Sequence, residues 1–239
     1  MLQVCNLTKL YDKTPACNDL SFDAKGGEIT ILAGPNGAGK STAIKSIVGL
    51  LRFFGQITID GHPNKSIDAK QVLGYVPEIP NLYEALTVGE HLEFIRRAYG
   101  LDQSNEPYEA ELLRRFELED KKDKVGKDLS KGMQQKVSIC CALLHHPRLL
   151  LLDEPLVGLD PHAIKQLKEL LGELRTGGTA ILVSTHMLDS VEDLWDTVHI
   201  MMNGQIKASR TRAQIAESNE SLSDLFFQIT EGAPAEEAE

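Results

Sequence analysis

The run Glu28-Ile-Thr-Ile-Leu-Ala-Gly34-Pro35-Asn36-Gly37-Ala38-Gly39-Lys40-Ser41-Thr42 decides how this chain folds. Residues 28–33 are a short, β-branched, apolar stretch that reads as a buried strand. Residues 34–41 fit the pattern G-x-x-x-x-G-K-[ST]. Beyond them Ile44, Ile47, Val48 and Leu51 recur at i, i+3, i+4 and i+7, one apolar stripe at helical period. Strand, glycine-rich loop and helix in that order make a phosphate cradle. The glycines let the backbone wrap closely, so that its N–H groups point at phosphate oxygens. The helix that starts near Lys40 aims the positive end of its dipole at the same anion. Lys40 adds a point charge for the β- and γ-phosphates, and Ser41 offers a hydroxyl to Mg²⁺; Thr42 belongs to the same nucleotide-binding set. The loop specifies a nucleoside triphosphate and leaves open what its energy does.

Downstream, Leu149-Leu-Leu-Leu152-Asp153-Glu154 supplies the acidic half of such a site. Four leucines in a row read as a strand buried on both faces. Asp153 at its end would hold Mg²⁺, and Glu154 would polarise the attacking water.

The remaining signals frame these two. Gly55 to Gly61 reads as an edge strand closed by an Asp-Gly turn, and the first segment as short strands and turns. From Leu82 to Leu144 the signals are helical: Thr87 can cap Val88 to Tyr99, Glu109 to Phe116 has helical spacing, and Met133, Val137, Cys140, Cys141 and Leu144 form a stripe. Asp160-Pro161 opens another helix, with Leu167, Leu170, Leu171 and Leu174 as its buried face and Gly177-Gly178 as its stop. Ala180 to Ser184 is a strand, and Val198 to Met202, Asn203-Gly204 and Gln205 to Ala208 read as a type I′ hairpin. The expected fold is α/β: a RecA-like P-loop NTPase core (1–77 and 146–216) with an antiparallel β subdomain and an inserted α-helical lobe (78–145). Residues 217–239 form a C-terminal segment, expected to end in a disordered acidic tail over Ala233 to Glu239.

Composition bounds the rest. The chain has 239 residues, 42% hydrophobic and 25% charged, so it can bury a real core. Thirty-five acidic against 25 basic residues give −10, which argues against coating a duplex or an anionic membrane. Seven of the acidic residues fall after Ala216, where no basic residue occurs, leaving −3 on residues 1–216. The charge is therefore a weak exclusion. No apolar run suggests a signal peptide or a membrane span. Cys5, Cys17, Cys140 and Cys141 lack metal-ligand spacing and read as free thiols, three or four of them core filler.

Taken together, the loop at 34–41, Leu129-Ser130-Lys131-Gly132-Met133, Asp153-Glu154, Gly158-Leu159-Asp160 and Ser184-Thr185-His186 resemble an ABC-type ATPase in order and spacing, over roughly residues 2 to 216. Tyr75 to Phe94 and Leu129 to Lys136 look most like the EcsA-type bacterial exporter ATPases. The resemblance implies that Tyr11 stacks on adenine and that Ser130 and Gly132 face the γ-phosphate of ATP bound by a partner subunit. It further implies that Asp160 lies in the loop at that interface and that His186 contacts the γ-phosphate. It implies a head-to-tail dimer, a homodimer or an ABC heterodimer, with two ATP between the subunits, and an integral membrane permease on a separate chain. The expected place is then cytoplasmic, on the inner face of the membrane.

Two positions depart from the family pattern. Glu78 in Tyr75-Val-Pro-Glu78 stands where a Gln is usual, so a carboxylate replaces a neutral amide near the metal and the water. Glu78 is expected to sense either one and to alter the Mg²⁺ dependence. Lys131 and Met133 replace the commoner Gly and Gln, and Lys131 either faces the partner's phosphates or solvent. The function implied is ATP binding and hydrolysis coupled to a transporter. The alternative is a soluble ABC ATPase acting on nucleic acid or ribosomes; such chains carry two sets of motifs or a long coiled coil, and neither is present. Leu82, Tyr83, Leu86, Leu92, Phe94, Ile95 and Tyr99 exceed what one helix face needs, so some are expected to meet a membrane partner; no nucleic-acid partner is expected.

Overall fold

A computed structural model describes residues 1–218 and 221–231; the expected tail, Ala233 to Glu239, lies outside them. The chain opens with β1 (Leu2–Tyr11), β2 (Thr14–Ala24), β3 (Ile29–Ala33), α1 (Lys40–Val48), β4 (Phe54–Ile59), β5 (His62–Pro63), α2 (Ile67–Gln71) and β6 (Leu73–Val76). Three helices follow: α3 (Val88–Tyr99), α4 (Glu106–Arg115) and α5 (Lys131–Leu143). Then come β7 (Leu149–Asp153), α6 (Pro161–Thr176), β8 (Ala180–Thr185), β9 (Thr197–Met202), β10 (Gln205–Thr211), α7 (Arg212–Ser218) and α8 (Leu222–Glu231).

Two sheets organise these elements. One has the order β10-β9-β3-β8-β7-β6 and is parallel except for β10; the other is antiparallel, β2-β1-β4-β5. Strands β3, β7 and β8 are buried at every residue, which is why they read as unbroken apolar runs. Side chains of a strand alternate between faces. Ile29, Ile31, Leu150, Leu152, Ile181 and Val183 enter one core with α3 to α6. Leu32, Leu149, Leu151, Ala180 and Leu182 enter the other, with α1 and the antiparallel sheet. Burying one leucine is worth about 1.5–3 kcal/mol, so these strands anchor both layers.

Capping follows the sequence closely. Thr87 and Glu90 close a full capping box on α3, and Asp160 caps α6 with Pro161 at its first position. Asp60 and Gly61 (φ 52° and 81°), and likewise Asn203 and Gly204 (φ 50° and 74°), take the left-handed pair of a type I′ turn.

Three expectations need correction. The first segment holds two long strands, of 10 and 11 residues, rather than short ones. Bulges near Asn6 and Asp19, both at positive φ, shift the alternation to Leu2, Val4 and Leu7 and hide the strand. Helix α1 stops at Val48 because Gly49 takes a left-handed cap, so Leu51 falls outside it. β4 is not at the edge, since the two-residue β5 flanks it. The cysteines are as expected: all four are free, Cys17 and Cys140 are buried in the two cores, Cys141 packs against one of them, and Cys5 is exposed. Among the described residues no helix is long and apolar enough to cross a membrane.

Candidate functional site

Carboxyl ends of parallel strands converge at one rim of the larger sheet, the usual place for a ligand in an open α/β sheet. β3 feeds residues 34–39, β6 feeds Glu78, β7 ends in Asp153 before Glu154, and β8 ends in Thr185 before His186. A cavity of about 470 Å³ opens there, lined by Ala16, residues 36–42, Glu78, Glu154, Val157 and His186.

The loop is fixed by backbone geometry. Gly39 has φ 103°, and a Cβ on it would come within 2.2 Å of the Ala16 carbonyl. Only glycine fits there. Lys40 Nζ donates to the Gly34 carbonyl at 2.8 Å and the Pro35 carbonyl at 3.2 Å, which folds its cation over the loop. The free N–H groups at the start of α1 face the same cavity as that charge, so a polyphosphate finds both.

Beneath the cavity, Ser41 Oγ lies 3.1 Å from Asp153 Oδ1, and Ser184 Oγ donates to that same oxygen. Asp153 Oδ2 is fully buried with no partner. An unpartnered buried carboxylate oxygen beside a hydroxyl is the donor set that a hard divalent cation takes. The residues therefore fit Mg²⁺, with Ser41 and Asp153 to hold it.

Glu154 has φ 47°, an uncommon conformation for a residue with a side chain. Its N–H is held by the Ser184 carbonyl at 3.1 Å and by Ser184 Oγ at 3.3 Å. Its carboxylate is held from two sides: Lys40 Nζ is 3.5 Å from Oε1, and His186 Nδ1 is 2.9 Å from the same oxygen. The His186 backbone N–H reaches Oε2 at 3.4 Å. Glu78 lines the cavity as an exposed side chain. Burial first, then the charges of Asp153 and Glu78, pushes the Tyr75 phenol above its ordinary range.

The other expected residues form a second group. Ser130 caps α5 by accepting from Met133 N–H at 3.3 Å, and Lys131 is exposed. Gly132 abuts the Gly158 carbonyl, which a Cβ would meet at 2.7 Å. Lys136 Nζ lies 2.8 Å from Asp160 Oδ2, and Gln135 Nε2 reaches the Pro155 carbonyl at 3.4 Å. The Lys136 bond, then the Ala163 N–H, holds the Asp160 carboxyl below its usual range. So α5 is tied to the loop 155–160 along its first turns. Neither Ser130 to Gly132 nor Asp160 lines the cavity of its own chain. Tyr11 is half exposed under the Lys9 ammonium, and it too is not among the cavity residues. Sequence reading placed no role on Ser184 or Val157; Ser184 sits within the quoted Ser-Thr-His, but nothing in its type announces that it faces Asp153.

Comparison with known proteins agrees with this geometry. Residues 17–157 match the model of the ABC transporter family. The chain is 39% identical over 238 residues to the ABC-type transporter ATP-binding protein EcsA of Bacillus subtilis (strain 168), covering 96% of each. A solved ATP-binding subunit of an ABC transporter superposes with a TM-score of 0.91 at 39% identity, over 96% of this chain and 99% of that one. A dimeric ATP-binding cassette in a post-hydrolysis state, bound to ADP and Pi, superposes with a TM-score of 0.79 at 25% identity, over 88% of this chain and 98% of that one. A phosphate loop braced on an acidic strand end, on a fold shared across these proteins, leads to one conclusion: the chain belongs to the ABC transporter family and is an ATP-binding, ATP-hydrolysing transporter subunit.

Proposed function

We propose that this chain powers a membrane exporter whose permease is a separate integral membrane protein. Two copies, or one copy and a related ABC subunit, close head to tail on two ATP; hydrolysis reopens them. The chain then works at the cytoplasmic face of the membrane. The observation that carries the dimer is the separation of the two groups of site residues. The cavity lacks the α5 N-terminus of its own chain, and that helix end, with Ser130 and exposed Lys131, offers N–H groups to an anion on another molecule.

Within one cavity the roles divide by chemistry. Lys40 and the loop N–H groups hold the β- and γ-phosphates, and Ser41 and Asp153 hold Mg²⁺. Bound Mg²⁺ would neutralise charge building on the phosphate oxygens. Glu154 polarises the attacking water, and His186 keeps the Glu154 carboxylate aimed and reaches the γ-phosphate. Glu78 takes the place of the usual amide next to the metal and the water. Tyr11 stacks on adenine from the hairpin edge.

Coupling needs a seat for the permease. Residues Leu82, Tyr83, Phe94, Ile95 and Tyr99 line a cavity of about 490 Å³ with Leu50 and His145. Leu50, Tyr83 and Phe94 are 65%, 60% and 51% exposed, whereas Leu92 is buried. A helix from the permease laid there would cover them. The test is membrane co-sedimentation of the chain co-expressed with its permease. The wild type is expected to pellet, and Phe94→Glu to stay in the supernatant with its ATPase activity intact. Tight DNA binding in low salt with no membrane association would instead favour the nucleic-acid reading.

A further inference from the structure

β8 runs Ala180-Ile-Leu-Val-Ser-Thr185 with every residue buried, and Ser184 has no exposed surface. A hydroxyl at such a position is costly unless it is hydrogen-bonded. Ser184 Oγ meets that need with two bonds, and both go to the acidic strand end next door. It donates to Asp153 Oδ1 and accepts from the Glu154 N–H at 3.3 Å. The register of β7 and β8 pairs Asp153 with Ser184, which puts the hydroxyl beside the carboxylate.

The second donor to Asp153 lands on the same oxygen. Ser41 Oγ lies 3.1 Å from Oδ1, so Oδ1 takes both hydroxyls while Oδ2 is buried and takes none. Both donors are neutral hydroxyls. Two bonds on one oxygen hold the carboxylate in one rotamer. Ser184 also meets the N–H of Glu154, a residue at φ 47°, through its carbonyl at 3.1 Å and its hydroxyl at 3.3 Å.

We propose that Ser184 is a positioning residue for both acids: its hydroxyl pins Asp153 through Oδ1, beside the Ser41 hydroxyl with which Asp153 would hold a divalent cation, and it helps fix the backbone that carries Glu154. This rests on the reading of Asp153 as a metal holder.

The test uses the full chain with Mn²⁺ as probe. ADP binding is measured in EDTA, and Mn²⁺ binding to the ADP complex is followed by electron paramagnetic resonance. Ser184→Ala, Ser184→Thr, Ser184→Val and Asp153→Asn are compared. All are expected to bind ADP in EDTA, which reports a folded loop. Ser184→Ala is expected to weaken Mn²⁺ binding about tenfold, as loss of a group that orients a ligand does. Ser184→Thr should restore it, and Asp153→Asn should weaken it further. Wild-type Mn²⁺ affinity in Ser184→Ala, alongside a loss in Asp153→Asn, overturns the role of Ser184 alone. Wild-type affinity in Asp153→Asn overturns the metal reading beneath it. If Ser184→Ala fails to bind ADP in EDTA, the isosteric pair decides. Threonine tighter than valine supports the proposal, and equal affinities overturn it.

Discussion

Lys40 Nζ and Glu154 Oε1 lie 3.5 Å apart, and each side chain is more than nine-tenths buried. The residue proposed to bind phosphate and the residue proposed to polarise water thus form one ion pair in the lining of the same cavity. Breaking a buried pair from one side leaves an uncompensated charge and costs about 3–5 kcal/mol. The two single substitutions therefore have different consequences.

Glu154→Gln keeps the size and a hydrogen-bond acceptor for His186 but removes the base. ATP binding should persist, hydrolysis should fall by about 10²-fold or more, and the ATP-bound dimer should accumulate. Sizing chromatography with and without ATP, with turnover measured in parallel, checks this. Normal turnover in the variant would remove Glu154 from the mechanism.

Lys40→Ala should abolish nucleotide binding itself. The lysine is the cation that the loop carbonyls of Gly34 and Pro35 orient, and without it the buried Glu154 carboxylate keeps only its contacts to His186. Equilibrium binding of a fluorescent ATP analogue should show no saturable site. Tight binding with slow hydrolysis would contradict this assignment.

Glu78→Gln restores the neutral amide of the family pattern. Glu78 faces the cavity and its charge is felt at the Tyr75 phenol, so removing it should change the Mg²⁺ concentration for half-maximal ATPase activity several-fold. An unchanged Mg²⁺ dependence with an unchanged rate would make Glu78 a bystander.

Most of the site was legible because its chemistry is local. The loop 34–41 and the strand end at 153–154 each carry strand context, spacing and residue type in one short stretch. What was hidden depends on pairing across distance. The partners of Ser184 follow from the register of β7 with β8, which periodicity does not report. The C-terminal segment was missed for a different reason. Leu222, Leu225, Phe226 and Ile229 recur at helical spacing, and Ser221 and Asp224 cap one another, yet the surrounding acidic residues make the stretch read as solvated. Leu222 and Leu225 instead join the main core with Leu188 and Val191, just past His186. Leu225→Ala should therefore lower stability by about 2–5 kcal/mol, measured by urea unfolding. A change under about 0.5 kcal/mol, the scale of a surface site, would show that α8 contributes little.

His145 gives the fold its own pH dependence. The ring stacks on Tyr99 with centroids 3.9 Å apart, and its Nε2 lies 3.1 Å from the Leu73 carbonyl. Burial, against the pull of that carbonyl, lowers its pKa to about 4. An unfolded histidine titrates near 6.5. Between these values the unfolded chain binds more protons than the folded one, so stability falls as the pH drops through that window. Above pH ~7 this group contributes no slope. The difference amounts to about 2 kcal/mol at pH ~5 and about 3 kcal/mol near pH ~4. His145→Phe keeps a ring against Tyr99 but cannot take a proton. Urea unfolding at pH ~7.5 and ~5 should then show the wild type losing about 2 kcal/mol more than the variant. Carboxylates that titrate in this range are common to both proteins and cancel. Equal losses in the two proteins would mean that the ring is already protonated, or freely solvated, in the folded chain.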